Sequence, residues 1–150
     1  MAFGTDSKVF VATLEYQLEG GSLDLASDAV KIALYNDSCT PDEEVALANT
    51  AYGAGVWASN EVNDGAEWPA AGQALGSVTS TITTNVWSLD AADEVSDGTS
   101  ATLADVRGCL IYDDTVSDYG LCFLDFNGAQ AVTDGTFTVQ FGAAIMTLTV

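Results

Sequence analysis

The sequence predicts a mainly β fold: a single-domain antiparallel β-sandwich or small barrel with one short helix. Val, Thr, Ile and aromatic residues recur in short alternating runs, and Gly, Asn and Asp separate these runs. About seven to nine runs follow one another, which is typical of small sandwiches. A single segment carries the signals of a helix start, and no linker divides the 150 residues into two domains.

The first runs separate an N-terminal arm from the β-rich domain. Residues 8–17 and 29–35 alternate apolar and polar side chains with the period of a strand. Residues 1–7 are largely small or polar and lack this periodicity. We therefore expect residues 1–7 to form an extended arm on a neighbouring subunit and residues 8–150 to form the domain.

The helix is predicted over residues 40–51. Thr40 can cap its N-terminus, Pro41 suits the first helical position, and Glu43 completes a capping box with Thr40. The acidic residues after the proline complement the positive end of the helix dipole. They indicate ordinary capping rather than a cation site.

Residues 52–76 are rich in glycine and contain Trp57 and Trp68. A long loop in a compact domain is usually functional or contains unrecognised elements. We expect part of this segment to form a short strand or hairpin and part to be an exposed contact loop. Because aromatic residues anchor interface cores, we expect at least one of the two tryptophans to be buried against a neighbouring subunit.

The β pattern then continues to the C-terminus. Residues 78–85 and 86–89 are predicted strands, and residues 113–118 form a hairpin loop between two further strands. The last strands are predicted at residues 136–141 and 144–150. Runs of strands joined by short turns favour antiparallel sheets.

The three cysteines, Cys39, Cys109 and Cys122, are odd in number and lack the short spacing of a zinc site. In a regular hairpin closed by residues 113–118, Cys109 opposes Cys122. That pairing is close to disulfide distance, but synthesis in a cytoplasm keeps thiols reduced. We therefore predict two neighbouring, unbridged thiols in the core, with Cys39 apart from them near the helix start.

The charge balance excludes several classes of function. The chain has 22 Asp and Glu residues, three Lys and Arg residues and no histidine, for a net charge of -19. Three cations cannot build a basic surface for nucleic acid or an acidic membrane, and no run reaches the roughly 18 apolar residues of a bilayer-spanning helix. The commonest general base and metal ligand is also missing. We expect a protein that is not an enzyme, has no cofactor or metal, and binds neither nucleic acid nor a membrane.

Clusters of acids leave two other interpretations open. Calcium could bind the acidic residues at 61–64, 93–97 or 113–118, although none of these has EF-hand spacing. Asp and Asn are also favoured at turns for hydrogen bonds to their own backbone, which explains all three clusters without a metal. Paired carboxylates would permit a glycosidase-like hydrolase, but in a chain with 22 acids such pairs are unspecific.

Several motifs point to a family by their order and spacing. In chain order they are VKIALY (30–35), TPD (40–42), SNEV (59–62), ATLADVRG (101–108), LIYDD (110–114), LDF (124–126) and GTFTV (135–139). Together they resemble a widespread group of small tailed-bacteriophage virion proteins over roughly residues 29–150. The resemblance implies a virion-surface or head-completion role, with decoration of the capsid foremost, and contains no catalytic motif.

We therefore expect a capsid decoration or cement protein that binds and stabilises the head shell of a virion, after synthesis in the host cytoplasm. Its expected partners are the major capsid protein and neighbouring copies of itself, as a trimer. Arg107 is expected to form either a structural ion pair with a nearby Asp or a salt bridge between subunits. Met1 and Phe3 of the arm, with Trp57 and Trp68, are the other predicted interface residues. The alternative is a receptor-binding or fibre-associated module that contacts host glycans through Trp57 and Trp68.

Overall fold

The computed structural model of the chain describes residues 7–149 and has a mainly β, sandwich-like fold of antiparallel strands, as the sequence predicts. Its elements, in chain order, are β1 (Lys8–Val9), α1 (Val11–Leu18), β2 (Val30–Asn36), β3 (Glu61–Val62), β4 (Gln73–Ala74), β5 (Thr79–Thr83), β6 (Val86–Asp90), β7 (Glu94–Val95), β8 (Ala101–Asp113), β9 (Gly120–Gly135), β10 (Thr138–Val139) and β11 (Met146–Thr149). Two short 3-10 turns, Leu47–Asn49 and Gly55–Ala58, lie between β2 and β3.

The central layer is a six-stranded sheet. Its strand order is β1-β9-β8-β2-β3, and β4 also pairs with β2. The other strands form a three-stranded sheet in the order β11-β6-β5 and a two-stranded ribbon, β10-β7. Among residues 7–149 the central sheet ends at β1 and β3, so it is open rather than closed into the small barrel that the sequence also allows.

The centre of this sheet is buried on both faces. Ile32 and Leu34 of β2 pack into one core cluster, whereas Ala33 and Tyr35 pack into a second cluster on the opposite face. All four side chains are 0% exposed. The continuous apolar run of β2 is therefore explained by burial on both sides rather than by a solvated outer face.

Different structures cover the two faces. The three-stranded sheet and the ribbon cover the first face, where Leu89, Val139 and Met146 are buried in the same cluster as β2. The irregular segment 39–58 covers the second face, where Trp57 packs beside Phe10. The first covering layer is a sheet and the second is mostly turns, so the molecule is only partly a sandwich of two sheets.

Residues 8–17, predicted as a strand, form the two-residue β1 and then most of α1. Ala, Leu, Glu and Gln favour a helix, and apolar spacing over so short a run fits both periods. Tertiary contacts decide between them. Phe10 is 0% exposed and its N–H donates to the Leu121 carbonyl oxygen at 3.1 Å. One turn later the Thr13 hydroxyl donates to the Gly120 carbonyl oxygen, which holds the helix against β9.

The prediction of a helix over residues 40–51 is wrong. This segment contains turns and a short 3-10 element. The Val11 N–H donates to the Glu43 carbonyl oxygen at 3.1 Å, the acceptor that a helix would use for the amide four residues later. The Glu44 N–H donates to Asp42 Oδ1 at 2.9 Å, which closes a local turn. The predicted capping residues are present, but the backbone of this segment forms a hydrogen bond with α1 instead of a helix of its own.

The predicted hairpin between β8 and β9 is present in a different register. Cys109 opposes Leu124, and Cys122 opposes Ile111, because the loop and a β-bulge after Ile111 shift the pairing. All three cysteines are buried and free, as predicted. Cys109 and Cys122 share the first core cluster, and Cys39 lies apart in the second.

Candidate interaction surface

A groove of about 510 Å³ lies between α1, the segment 23–26 and the three-stranded sheet. Leu14 and Leu18 line it from α1, and Trp87 and Leu148 line it from β6 and β11. Leu18 is 88% exposed and Leu148 is 49% exposed. This concentration of exposed large apolar side chains around one depression is typical of a contact surface for another molecule.

Local structure explains how these side chains converge. Leu14 and Leu18 are four residues apart on α1 and therefore share one face of the helix. Trp87 and Leu148 are direct cross-strand partners, so they share one face of the sheet. The Trp87 Nε1–H donates to Ser80 Oγ at 2.8 Å, which holds the indole across the sheet toward β5.

The sheet side of the groove is nearly free of charge. Residues 77–89 and 135–149, which contain most of the three-stranded sheet, include no Asp, Glu, Lys or Arg. Within β5, β6 and β11 the charged residue is Asp90, at the end of β6. Asp24 is the charged residue of the groove lining, and its carboxylate accepts the Ala26 N–H and the Ser27 hydroxyl. On a chain with a net charge of -19, this neutral surface stands out.

The cations of the chain lie elsewhere and are paired with acids of the same chain. Lys31 Nζ lies 3.1 Å from Asp114 Oδ1, and Lys8 Nζ lies 4.0 Å from Glu43 Oε1. These pairs link β2 to the β8–β9 loop and β1 to the segment after β2. Neither lysine lines the groove.

Arg107 forms the intrachain ion pair that was one of its two predicted roles. Its Nε lies 3.3 Å from Asp37 Oδ1, and its terminal nitrogen lies 3.4 Å from Asp125 Oδ2. The arginine side chain is 15% exposed and that of Asp125 only 1%. The guanidinium is thus paired with two carboxylates of its own chain, and the predicted salt bridge between subunits stays a prediction.

The structure corrects the expectation for Trp57 and Trp68. Both are buried within this chain, at 2% and 0% exposure, so a neighbouring subunit is not needed to cover them. Trp57 packs edge-on against Tyr35 with ring centroids 4.9 Å apart, and Trp68 packs against Phe137 at 5.8 Å. The glycine-rich segment folds both indoles inward as it forms β3 and β4, each paired with β2.

The predicted contacts of Met1 and Phe3 lie outside the described residues. The description begins at Ser7, whose Oγ accepts the Asp125 N–H at 3.1 Å. The extended arm of residues 1–7 stays a prediction.

Acidic side chains of the predicted clusters accept hydrogen bonds from the backbone. Asp64 Oδ1 accepts three consecutive N–H groups, of Ala66, Glu67 and Trp68, at 2.8–3.1 Å, and these bonds lower the pKa of Asp64. Asp93 Oδ1 accepts the Phe141 N–H at 2.9 Å. Across residues 7–149 no three Asp, Glu or Cys side chains converge in a way that could hold a metal ion.

Sequence reasoning missed the groove because it assigned residues 8–17 to a strand, which placed Leu14 on a strand face and left Leu18 outside the element. One signal was available: two long segments without charge, in a chain where 17% of the residues are charged. Their position in one sheet required the fold, because residues 77–89 and 146–149 meet only through the pairing of β6 with β11.

In comparisons with known proteins, no protein-family model, no curated protein and no solved structure matches the chain. Within residues 7–149, no helix has the length and apolar character needed to cross a membrane.

Proposed function

We propose that this protein is a non-catalytic structural protein of a bacteriophage virion, a decoration or cement protein that binds the head shell. The observation that carries the proposal is the neutral apolar groove beside α1 on a strongly acidic chain. The motif resemblance over roughly residues 29–150 supports a bacteriophage virion as the particle to which the protein binds. Neither a reactive centre nor a cofactor is needed for such a role.

The groove supports attachment to a protein segment with apolar side chains flanked by Lys or Arg. Leu18 and Leu148 offer apolar area that the folded chain leaves in water. A net charge of -19 attracts a cationic partner over distance, and the largely uncharged groove allows close approach, since Asp24, the charged residue of its lining, is hydrogen-bonded to Ala26 and Ser27. We assign this segment to the major capsid protein.

Stabilisation of the shell would follow from differential affinity. A protein that binds the mature shell more tightly than its precursor shifts the equilibrium toward the mature state by that difference. The acidic remainder of the surface would keep decorated particles apart and free of nucleic acid. The alternative, a glycan-binding module, relied on Trp57 and Trp68, which are buried at 2% and 0% exposure.

Binding of the purified protein to undecorated capsids tests the proposal. Leu18→Gln keeps a good helix former at a position that is 88% exposed, so the fold should be unaffected. If Leu18 is a hot spot worth about 2 kcal/mol, its capsid affinity should fall about thirtyfold. The matched control is Val95→Thr on β7, which is 43% exposed and lies away from the groove.

Copy number in intact virions provides the second arm of this test. A decoration protein should be present in numbers comparable to the major capsid protein, whereas a fibre module should be present in a few copies. Full capsid affinity of Leu18→Gln, or a copy number of a few per particle, would overturn the proposal.

A further inference from the structure

Among residues 7–149 β5 pairs with β6 on one side, and its outer edge offers unpaired backbone groups. Thr84 and Asn85 connect β5 to β6 with φ values of 49° and 65°, the pattern of a two-residue type I′ turn. Thr83 and Val86 close this turn and form a hydrogen-bonded pair. Because such pairs alternate along an antiparallel ladder, Thr81 also bonds to β6, while the N–H and C=O groups of Ser80 and Ile82 point outward.

This edge lacks the devices that usually protect a free strand. All five residues of β5 are exposed, and Ile82 is 79% exposed. Natural edges carry a lysine, another charge or a proline. Residues 77–89 contain none of these, although acids are spread over the rest of the chain. An edge of this kind is expected to be covered in the working state of the protein.

A second copy fits this edge because antiparallel pairing of the same uncharged strand about a twofold axis is self-complementary. Two chains that each carry a charge of -19 repel one another, and this repulsion is smallest where they meet on a surface without charge. The three-stranded sheet is such a surface, since Asp90 at the far end of β6 is its charged residue. Contact between copies through this sheet therefore keeps the acidic surfaces apart.

We propose that two copies of this chain associate by antiparallel pairing of β5 with β5, about a twofold axis. When the pairing is centred on Thr81, Ile82 of each copy lies opposite Ser80 of the other. Each of these two residue pairs forms two backbone hydrogen bonds, about four in all. The two three-stranded sheets become one continuous sheet of six strands, β11-β6-β5-β5-β6-β11. Ile82, exposed in the single chain, then lies within the joint apolar face that includes Trp87 and Leu148.

Sedimentation equilibrium of the purified protein, without particles, tests this proposal. The wild type should have twice the chain mass of 15.5 kDa at micromolar concentration. Ile82→Lys places a charge on the edge, and Ile82→Pro removes an outward N–H without removing a bond to β6. Each should weaken association by about tenfold or more. Because Ile82→Lys also reduces the net negative charge, weaker association cannot come from greater overall repulsion.

Val95→Lys is the matched control, since it adds the same charge to an exposed strand position outside this sheet. It should associate like the wild type, and so should Leu18→Gln, which separates this proposal from capsid binding. Circular dichroism would verify that each variant is folded. A monomeric wild type, or a dimer that both Ile82 variants leave intact, would overturn the proposal.

Discussion

Replacing Asp113 tests whether a proton on this residue holds the start of the β8–β9 loop. Asp113 is 0% exposed, and its Oδ1 accepts the Thr115 and Val116 N–H groups at 2.8 and 2.9 Å. Its Oδ2 is buried, has no hydrogen-bond donor among residues 7–149 and is a neighbour of the Asp28 carboxyl group. Burial raises the pKa of Asp113, and the negative charge of Asp28 raises it further. At a pH below this raised pKa, a proton on Asp113 supplies the missing donor.

The sign of the pH dependence follows from this raised pKa. The folded chain holds the Asp113 proton more tightly than the unfolded chain, where the pKa is near the ordinary value of 3.8. Between 3.8 and the raised value the folded state binds more protons. Protonation of Asp113 therefore stabilises the folded state as the pH falls from the raised pKa toward 3.8. This stabilisation is lost as the pH rises through the folded pKa.

Two substitutions separate the charge from the hydrogen bonds. Asp113→Asn keeps the Oδ1 acceptor, with two hydrogen bonds of about 1 kcal/mol each, and adds an amide that can donate to Asp28. It also removes a buried charge, so its stability at pH 7 should equal or exceed that of the wild type. Asp113→Ala removes both hydrogen bonds, at about 1 kcal/mol each, a loss of about 2 kcal/mol in all.

Equilibrium unfolding in urea, measured at a series of pH values from 7 down toward 3.8, follows both effects. As the pH falls toward 3.8 the wild type should gain stability relative to Asp113→Asn. Asp114→Asn is the control: this carboxylate is 35% exposed and pairs with Lys31 at 3.1 Å, so its loss should change stability by about 1 kcal/mol or less. The reasoning is refuted if Asp113→Asn loses more than about 2 kcal/mol at pH 7, or if its pH dependence matches that of the wild type.

Three further predictions concern the core. Trp68→Ala should lower the free energy of unfolding by about 3–5 kcal/mol in urea titrations, because the indole is 0% exposed; a loss below about 1 kcal/mol would contradict its core position. Arg107→Ala should cost about 3–5 kcal/mol, since it leaves the Asp125 side chain, 1% exposed, without its cation. Asp125→Asn in the same chain should recover part of that loss, and no recovery would argue against the pair. The denatured, non-reduced protein should contain three free thiols, and a count of one would indicate a disulfide. The folded protein should react slowly with thiol reagents, because burial raises the pKa of Cys39 and Cys122 to about 12.

The sequence by itself determined the β-rich class, the main strands and the state of the cysteines. The apolar run of β2 lies at residues 30–36, close to its predicted bounds of 29–35. The hairpin loop at residues 113–118 joins β8 to β9, as the polar run between two apolar ones predicts. These features depend on alternation and turn chemistry that are complete within a few residues, so local reasoning reaches them.

Only the tertiary structure decided the position of the helix, the direction of the tryptophans and the existence of the groove. The segment at residues 8–17 fits a strand or a helix, and the burial of Phe10 against β9 selects the helix. The glycine-rich sequence around Trp57 and Trp68 is compatible with exposed or buried side chains. The pairing of β3 and β4 with β2 turns both side chains inward. The groove joins α1 to β11, which are more than a hundred residues apart, and no local pattern encodes which distant surfaces meet.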